Sequence, residues 1–190
     1  MILNLALVVA PLLIWLAIST RARRTPRHAA WPPVRGNLVT AIWAWGVTVL
    51  IYIGLIGLGT ENWNPAGLPR FLTWGIGGTL TIASLVLHGV SVAELGLKAT
   101  SGWDRGIYDR RSYSFMRHPQ YWGQGLGFVG WGILAAEPLT LVMSLATCLV
   151  LWHLSETEER VMLARHPEAY AVYRKRVSLW RNVSFGAQTG

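Results

Sequence analysis

One stretch organises this chain: Arg117-His118-Pro119-Gln120-Tyr121-Trp122-Gly123. It lies where a charged segment, residues 102–117, gives way to a long apolar run. An arginine costs roughly 2.5–3.5 kcal/mol at the centre of an inserted helix, so it is tolerated at the membrane boundary. Proline fits the first turn of a helix, where its missing N–H would have no partner. The stretch therefore predicts a helix that begins at the membrane surface and presents a guanidinium, an imidazole and free N–H groups to a carboxylate or phosphate.

The composition indicates an all-α, polytopic integral membrane protein. Of 190 residues, 52% are hydrophobic and only 14% are charged. Several apolar runs approach or exceed the roughly 18 residues that a helix needs to cross the hydrocarbon core. We expect a single membrane domain over residues 1–190, with three spans in residues 1–93 and a functional half in residues 94–181. The predicted helices cover residues 2–18, 38–58, 71–93, 121–136 and 138–154, which gives about five transmembrane helices.

The last two of these helices form a predicted hairpin, because Glu137-Pro138 interrupts an apolar run that is too long for one span. Residues 155–181 follow as a cytoplasmic C-terminal helix. Acidic residues at 156, 158 and 159 suit the first turn of such a helix, and we expect it to pack back on the loop before Arg117.

The net charge of +8 follows the positive-inside pattern. Arginines cluster after the first run, in residues 98–117 and in the tail, so we expect the N-terminus outside, the C-terminus in the cytoplasm and a location in the plasma (inner) membrane. The first run lacks the preceding positive charge of a signal peptide, so we interpret it as a retained span. No nucleic-acid motif accompanies the charge. One cysteine and the isolated pair His153 and Glu156 predict no metal site.

Residues 125–130 spell the glycine pattern of a dinucleotide-binding loop. That pattern requires a preceding strand, whereas here it lies inside an apolar helix. Gly123 and Gly127 have the spacing that lets membrane helices approach closely. We therefore expect helix packing at these glycines.

Two ionisable clusters are predicted to meet at one end of the bundle. Glu158 and Glu159 follow the last apolar helix, and the hairpin returns the chain to the level of Arg117. Each cluster also has a plainer interpretation: an interfacial anchor for residues 117–123 and a solvated helix start for the acids.

Two motifs resemble the membrane methyltransferases, which include isoprenylcysteine carboxyl methyltransferases and phosphatidylethanolamine N-methyltransferases. One motif is His118-Pro119-Gln120-Tyr121-Trp122-Gly123, followed by Gly130-Trp131-Gly132 and Pro138. The other is an acidic pair followed by Glu168, Tyr170, Tyr173, Arg176 and Val177. The resemblance covers residues 94–180 and implies a pocket for S-adenosylmethionine between the hairpin and the tail.

The resemblance also implies roles for individual residues. The cofactor would be bound by Tyr113, His118, Pro119, Tyr121, Gly123, Glu159, Tyr170 and Tyr173. Catalytic roles would fall to Arg117, Glu158, Glu159 and Arg176. The glycine that usually stands two residues before the family's tyrosine is Arg111 here, and the pair Gly106 and Tyr108 lies farther away. Whether Tyr108 or Tyr113 serves the site stays open at this point.

The acceptor implied by the resemblance is a lipid or another lipophilic molecule, of phospholipid or isoprenoid type, reached at the cytoplasmic face among the membrane lipids. Nitrogen, oxygen and sulfur acceptors all remain open, and the sequence leaves the oligomeric state undefined. The alternatives are an NADPH-dependent membrane reductase of the sterol type, whose relatives are generally longer, and a non-enzymatic membrane scaffold.

Overall fold

A computed structural model describes residues 1–33, 36–103 and 106–177. These residues form helices and connecting segments and contain no strand. The helices are α1 (Ile2–Arg24), α2 (Leu38–Glu61), α3 (Thr79–Leu95), α4 (Leu97–Thr100), α5 (Ser112–Phe115), α6 (Pro119–Ala135), α7 (Pro138–Arg165) and α8 (Pro167–Arg176). A 3-10 turn, Pro26–His28, follows α1, and a π-helical stretch, Phe71–Gly78, leads directly into α3. The prediction of an all-α membrane protein is confirmed.

Four helices in the described part of the chain are long and apolar enough to cross a membrane: Ile2–Arg24, Leu38–Glu61, Phe71–Leu95 and Pro138–Arg165. Five crossing helices were expected. The remaining helix, α6, has 17 residues and is therefore about 26 Å long, less than the hydrocarbon thickness of about 30 Å. It is short because Pro119 fixes its start and Ala136 ends it in a left-handed conformation with φ of 48°.

The predicted hairpin is confirmed at Glu137. Its carboxylate accepts from the backbone N–H of Leu139 at 3.1 Å and of Thr140 at 2.5 Å. These bonds satisfy amide groups that have no partner within the first turn of α7. Helices α6 and α7 consequently lie against each other in antiparallel directions.

Gly123, as expected, and Gly130 serve the packing of α6 on α3, whereas a Cβ at Gly127 would meet Ser84 at an ordinary 3.6 Å. A Cβ added at Gly130 would lie 2.6 Å from the backbone N of Thr81, and one at Gly123 would lie 2.7 Å from the N of His88. Both neighbours belong to α3, so the two backbones touch where glycine leaves room. The other interpretation, a dinucleotide-binding loop, requires a strand that the described residues do not contain.

The expected start of a tail helix at residue 155 is wrong. Helix α7 runs without interruption through Ser155 and Glu159 to Arg165, and the next helix starts only at Pro167. No glycine or proline occurs between residues 139 and 166, so nothing in the backbone stops α7 earlier. The acids therefore lie near the C-terminal end of a long helix instead of at the beginning of a new one.

The core lies between α1, α2, α6 and α7. Its buried members include Trp15 on α1, Ile51 and Leu55 on α2, Phe128 on α6 and Leu154 on α7. The bundle has two ends: the ionic end, which contains Arg117, and the far end, which contains Glu61. The packed core fills the space towards the far end and leaves the ionic end partly hollow.

Candidate functional site

Two basic side chains before α6 meet two carboxylates near the end of α7. Nη1 of Arg117 donates to Oε2 of Glu159 at 2.6 Å. Nε2 of His118 lies 3.2 Å from Oε1 of Glu159, and its Nδ1 lies 3.5 Å from Oε2 of Glu158. The clusters that the sequence places 40 residues apart are therefore one site, and we call these four residues the ionic cluster.

Local structure fixes the direction of each partner. His118 is the residue before the first turn of α6, with φ of −131° and ψ of 58°, and the proline that follows holds it out of the helix. Glu158 and Glu159 are consecutive on α7 and therefore diverge by about 100° around the helix. This divergence allows one imidazole to meet both carboxylates, one at each ring nitrogen.

Glu159 lies in the buried part of the ionic cluster, and positively charged groups surround its carboxylate. The side chains of Arg117 and Glu159 are 7% and 8% exposed, and Nε of Arg174 approaches the same carboxylate at 3.5 Å. Burial by itself lowers the pKa of His118, but the hydrogen bonds and charges of Glu158 and Glu159 outweigh it and raise that pKa above its ordinary value. His118 is thus held towards its charged form.

One donor in the ionic cluster has no partner. Nε of Arg117 is buried and makes no hydrogen bond within the described residues, although its Nη1 binds Glu159. A buried, unsatisfied guanidinium N–H is costly. Arg117 also lines a cavity, so an anionic or carbonyl oxygen of a molecule bound there could satisfy this N–H once the side chain shifts towards it.

Four tyrosines close the ionic end. Tyr108 and Tyr113 pack edge to face with ring centroids 5.4 Å apart, and Tyr170 and Tyr173 on α8 are both buried. The hydroxyl of Tyr173 donates to the backbone carbonyl of Tyr113 at 2.8 Å. The predicted packing of the tail on the loop before Arg117 is confirmed by this bond.

Burial is the main cause that raises the pKa of Tyr113, Tyr170 and Tyr173. Glu158 raises the pKa of Tyr113 further, and Glu159 and Glu158 raise that of Tyr170. All three phenols therefore remain protonated at neutral pH and can act as hydrogen-bond donors.

A cavity of about 220 Å³ connects the ionic cluster with the interior of the bundle. Its polar part is lined by Arg117, His118 and Glu158 together with the four tyrosines. Its apolar part, which we call the inner arm, is lined by Leu12, Ala44, Thr48, Ile51, Phe128, Thr147 and Leu151. Such a combination of a few convergent polar groups with apolar walls is typical of a ligand site.

Comparison with known protein families gives one match, to phospholipid methyltransferase, over residues 74–169. The chain belongs to the phospholipid methyltransferase family. Comparison with curated proteins and with solved structures gives no match. The matched residues include α3, α6, α7 and the complete ionic cluster.

The predicted site residues fall into three groups. Those that line the cavity are Tyr113, Arg117, His118, Tyr121, Glu158, Tyr170 and Tyr173. Glu159 is outside the cavity lining and binds Arg117 and His118. Three others lie elsewhere: Pro119 is buried at the start of α6, Gly123 is in contact with α3, and Arg176 pairs with Asp109 at the surface.

Other residues that line the cavity were missed by the sequence reasoning. Trp15 and Trp31 line the cavity and pack edge to face at 5.4 Å. Arg165 also lines it and donates to the backbone carbonyls of Pro32 and Pro33 at 2.8 and 2.9 Å. The linker after α1 is thereby drawn over the ionic end. Only its unusual arginine, proline and tryptophan content distinguished it in the sequence.

Proposed function

We propose that this chain is an S-adenosylmethionine-dependent methyltransferase that acts on a lipid or other lipophilic acceptor at the cytoplasmic face of the membrane. The observation that carries the proposal is the ionic cluster, with Arg117, His118 and Glu159 buried and Glu158 facing a cavity that continues into an apolar arm. Membership of the phospholipid methyltransferase family supports the reaction class.

The residues present fit S-adenosylmethionine chemically. The unpartnered Nε of Arg117 suits a carboxylate. The carboxylate of Glu158, which is 29% exposed and faces the cavity, suits an ammonium or a ribose hydroxyl. Ring faces of tyrosine and tryptophan suit an adenine or a positively charged sulfur. We propose Tyr113, His118, Tyr121, Glu159, Tyr170 and Tyr173 as further cofactor-binding residues, with Pro119 and Gly123 fixing the backbone beneath them.

When bound, the cofactor supplies a methyl group on a positively charged sulfur. The chain's own residues then align an acceptor with it and exclude water, since methyl transfer needs no protein nucleophile. Glu158 is placed to take the proton of an amine acceptor, while Glu159 keeps Arg117 and His118 in position. Arg117 orients a charged oxygen of the ligand. Arg176, through Asp109, fastens α8 over the site.

The orientation in the membrane is proposed from exposed charge at the ionic end. Arg21 and Arg24 in the last turn of α1 and Arg27 just after it are exposed, as are Arg174 and Lys175 on α8. Such residues favour the cytoplasmic side, and the plasma (inner) membrane follows as the proposed location. The acceptor's reactive group would meet the cofactor at this boundary.

Two measurements test the proposal. In the first, purified protein is heated with S-adenosylhomocysteine or with NADPH, because only a ligand of the native state raises the unfolding temperature. Stabilisation by S-adenosylhomocysteine supports the proposal, and stabilisation by NADPH alone supports a reductase. In the second, membranes receive methyl-labelled S-adenosylmethionine and lipid extract, and label should enter a lipid fraction. Glu158→Gln should abolish this transfer, whereas Glu156→Gln, outside the cavity lining, should not.

A further inference from the structure

We infer that the apolar chain of the acceptor lies inside the inner arm and that Ile51 on α2 limits the length of chain that fits. This inference rests on the proposed function, and it assigns the substrate class as an amphiphile with one chain enclosed by the protein. Most of the residues that line the inner arm lie between residues 12 and 51, outside the residues 74–169 that match the family.

The inner arm offers few polar groups to a ligand. The hydroxyl of Thr48 donates to the carbonyl of Ala44 at 2.8 Å, and that of Thr147 donates to the carbonyl of Met143 at 2.8 Å. The two hydroxyls thus donate within their own helices, and Gln124, which lines the cavity one turn before Phe128, is hydrogen-bonded to Tyr52. A polar part of a cofactor would lose most of its hydrogen bonds to water here. A hydrocarbon chain loses none, and its burial is favourable.

The arm points from the ionic cluster into the bundle. On α7 the cavity is lined by residues 147, 150, 151, 154, 158, 162 and 165, which share one helix face. From Glu158 to Thr147 the helix rises about 16 Å. A reactive head group beside Glu158 therefore places its chain in the arm, directed towards the far end.

The arm is closed at its inner end. Beyond Ile51 and Thr147, Leu55 is 1% exposed and Leu58 is 3% exposed. Nε1 of Trp131 donates to the carbonyl of Leu55 at 2.8 Å and fills the space between α2 and α6. Ile51, itself 4% exposed, is the last α2 side chain that lines the cavity, so its size decides where a chain must stop.

The test uses the full-length protein and lysophosphatidylethanolamines of graded chain length that carry a diazirine at the chain end. After photolysis, labelled residues are identified by mass spectrometry. Short and intermediate chains should label arm residues such as Phe128 and Thr147. Label confined at every chain length to lipid-facing residues, such as Leu149, which is 72% exposed, overturns the inference.

Ile51→Ala provides the second readout, with Ile53→Ala as its matched control on the lipid-facing side of α2, where Ile53 is 50% exposed. Ile51→Ala should shift arm labelling to longer chains, with a preference of about fourfold for each methylene newly accommodated, the factor equivalent to about 0.8 kcal/mol. Ile53→Ala should keep the original profile. Equal profiles for the two variants overturn the role of Ile51. Ile51→Val, a smaller change, replaces the alanine variant if that variant does not fold.

The unfolding temperature with S-adenosylhomocysteine separates this inference from the proposed function. Stabilisation by that ligand together with label only on the outer surface contradicts the inner arm and leaves the methyltransferase proposal standing. Arm labelling without stabilisation by S-adenosylhomocysteine supports the inner arm as the chain site and contradicts the proposed cofactor.

Discussion

Arg117 and Glu159 form an ion pair of 2.6 Å between the start of α6 and the last turns of α7, and both side chains are more than nine-tenths buried. The pair joins the two segments that the sequence separates by a helical hairpin. Because a buried charge without its partner is strongly unfavourable, this contact holds the ionic end together as well as shaping the site.

Glu159→Gln should lower the free energy of unfolding by about 3–5 kcal/mol, since it leaves Arg117 buried without a counter-charge. Thermal or denaturant unfolding in detergent measures the change. Glu156→Gln is the matched control, because Glu156 is 42% exposed in its pair with Arg23 and should change stability by no more than about 1 kcal/mol. Equal effects of the two substitutions would contradict the structural role of Glu159.

His118 should make stability depend on pH. Its pKa in the folded protein is raised above 6.5, against the lowering effect of burial, by Glu158 and Glu159. A raised folded pKa means that the stabilisation is fully present below 6.5 and is lost as pH rises through the folded value. The unfolding temperature should fall over this interval. His118→Gln should flatten the curve in that interval, and an unchanged slope would show that another group titrates there.

Arg111→Gly should stabilise the protein. Arg111 has φ of 53° and ψ of −124°, a region that glycine occupies without strain and that costs another residue about 1–3 kcal/mol. After the extra flexibility of unfolded glycine is subtracted, a gain of up to about 1 kcal/mol is expected in unfolding experiments. Arg110→Gly, at an exposed neighbour without positive φ, should give no gain.

Gly130→Ala should destabilise the α3–α6 contact by about 1–3 kcal/mol, because the new Cβ would lie 2.6 Å from the backbone of Thr81. Gly127→Ala is the control on the same helix. Its Cβ would meet Ser84 at 3.6 Å, an ordinary contact distance, and alanine favours helix over glycine. The order of the two unfolding temperatures decides whether these glycines serve packing.

Arg117→Lys should weaken binding of S-adenosylhomocysteine about tenfold or more. Lysine keeps the charge near Glu159 but loses the unpartnered Nε donor and the planar fork of the guanidinium. Titration calorimetry on folded protein measures the loss. Arg174→Lys, whose side chain is 52% exposed at the edge of the ionic cluster, should have a smaller effect. Equal losses would place the cofactor's carboxylate elsewhere.

The strain at Arg111 bears on the choice between Tyr108 and Tyr113. The family resemblance expects glycine two residues before its tyrosine, and Arg111 stands at that position before Tyr113. The positive φ at Arg111 is the conformation that such a glycine would adopt. The backbone therefore favours Tyr113, although both tyrosines line the cavity.

The sequence by itself determined the helical membrane architecture, the hairpin at Glu137 and the juxtaposition of Arg117 and His118 with Glu158 and Glu159. These follow from local rules: the length of apolar runs, the break at proline, and the return of an antiparallel pair to the level at which it began. It misplaced the start of the last helix, because acidic residues suit a helix start by charge but do not interrupt a helix that is already formed.

Only the tertiary structure decided which residues line the cavity. Trp31, Ile51 and Arg165 reach it from three separate parts of the chain, and no spacing along the sequence relates them. Their proximity depends on how side chains from different helices fill space, which is a property of packing between helices. The same packing turned Gly123 towards α3 and left the inner arm open behind the ionic cluster.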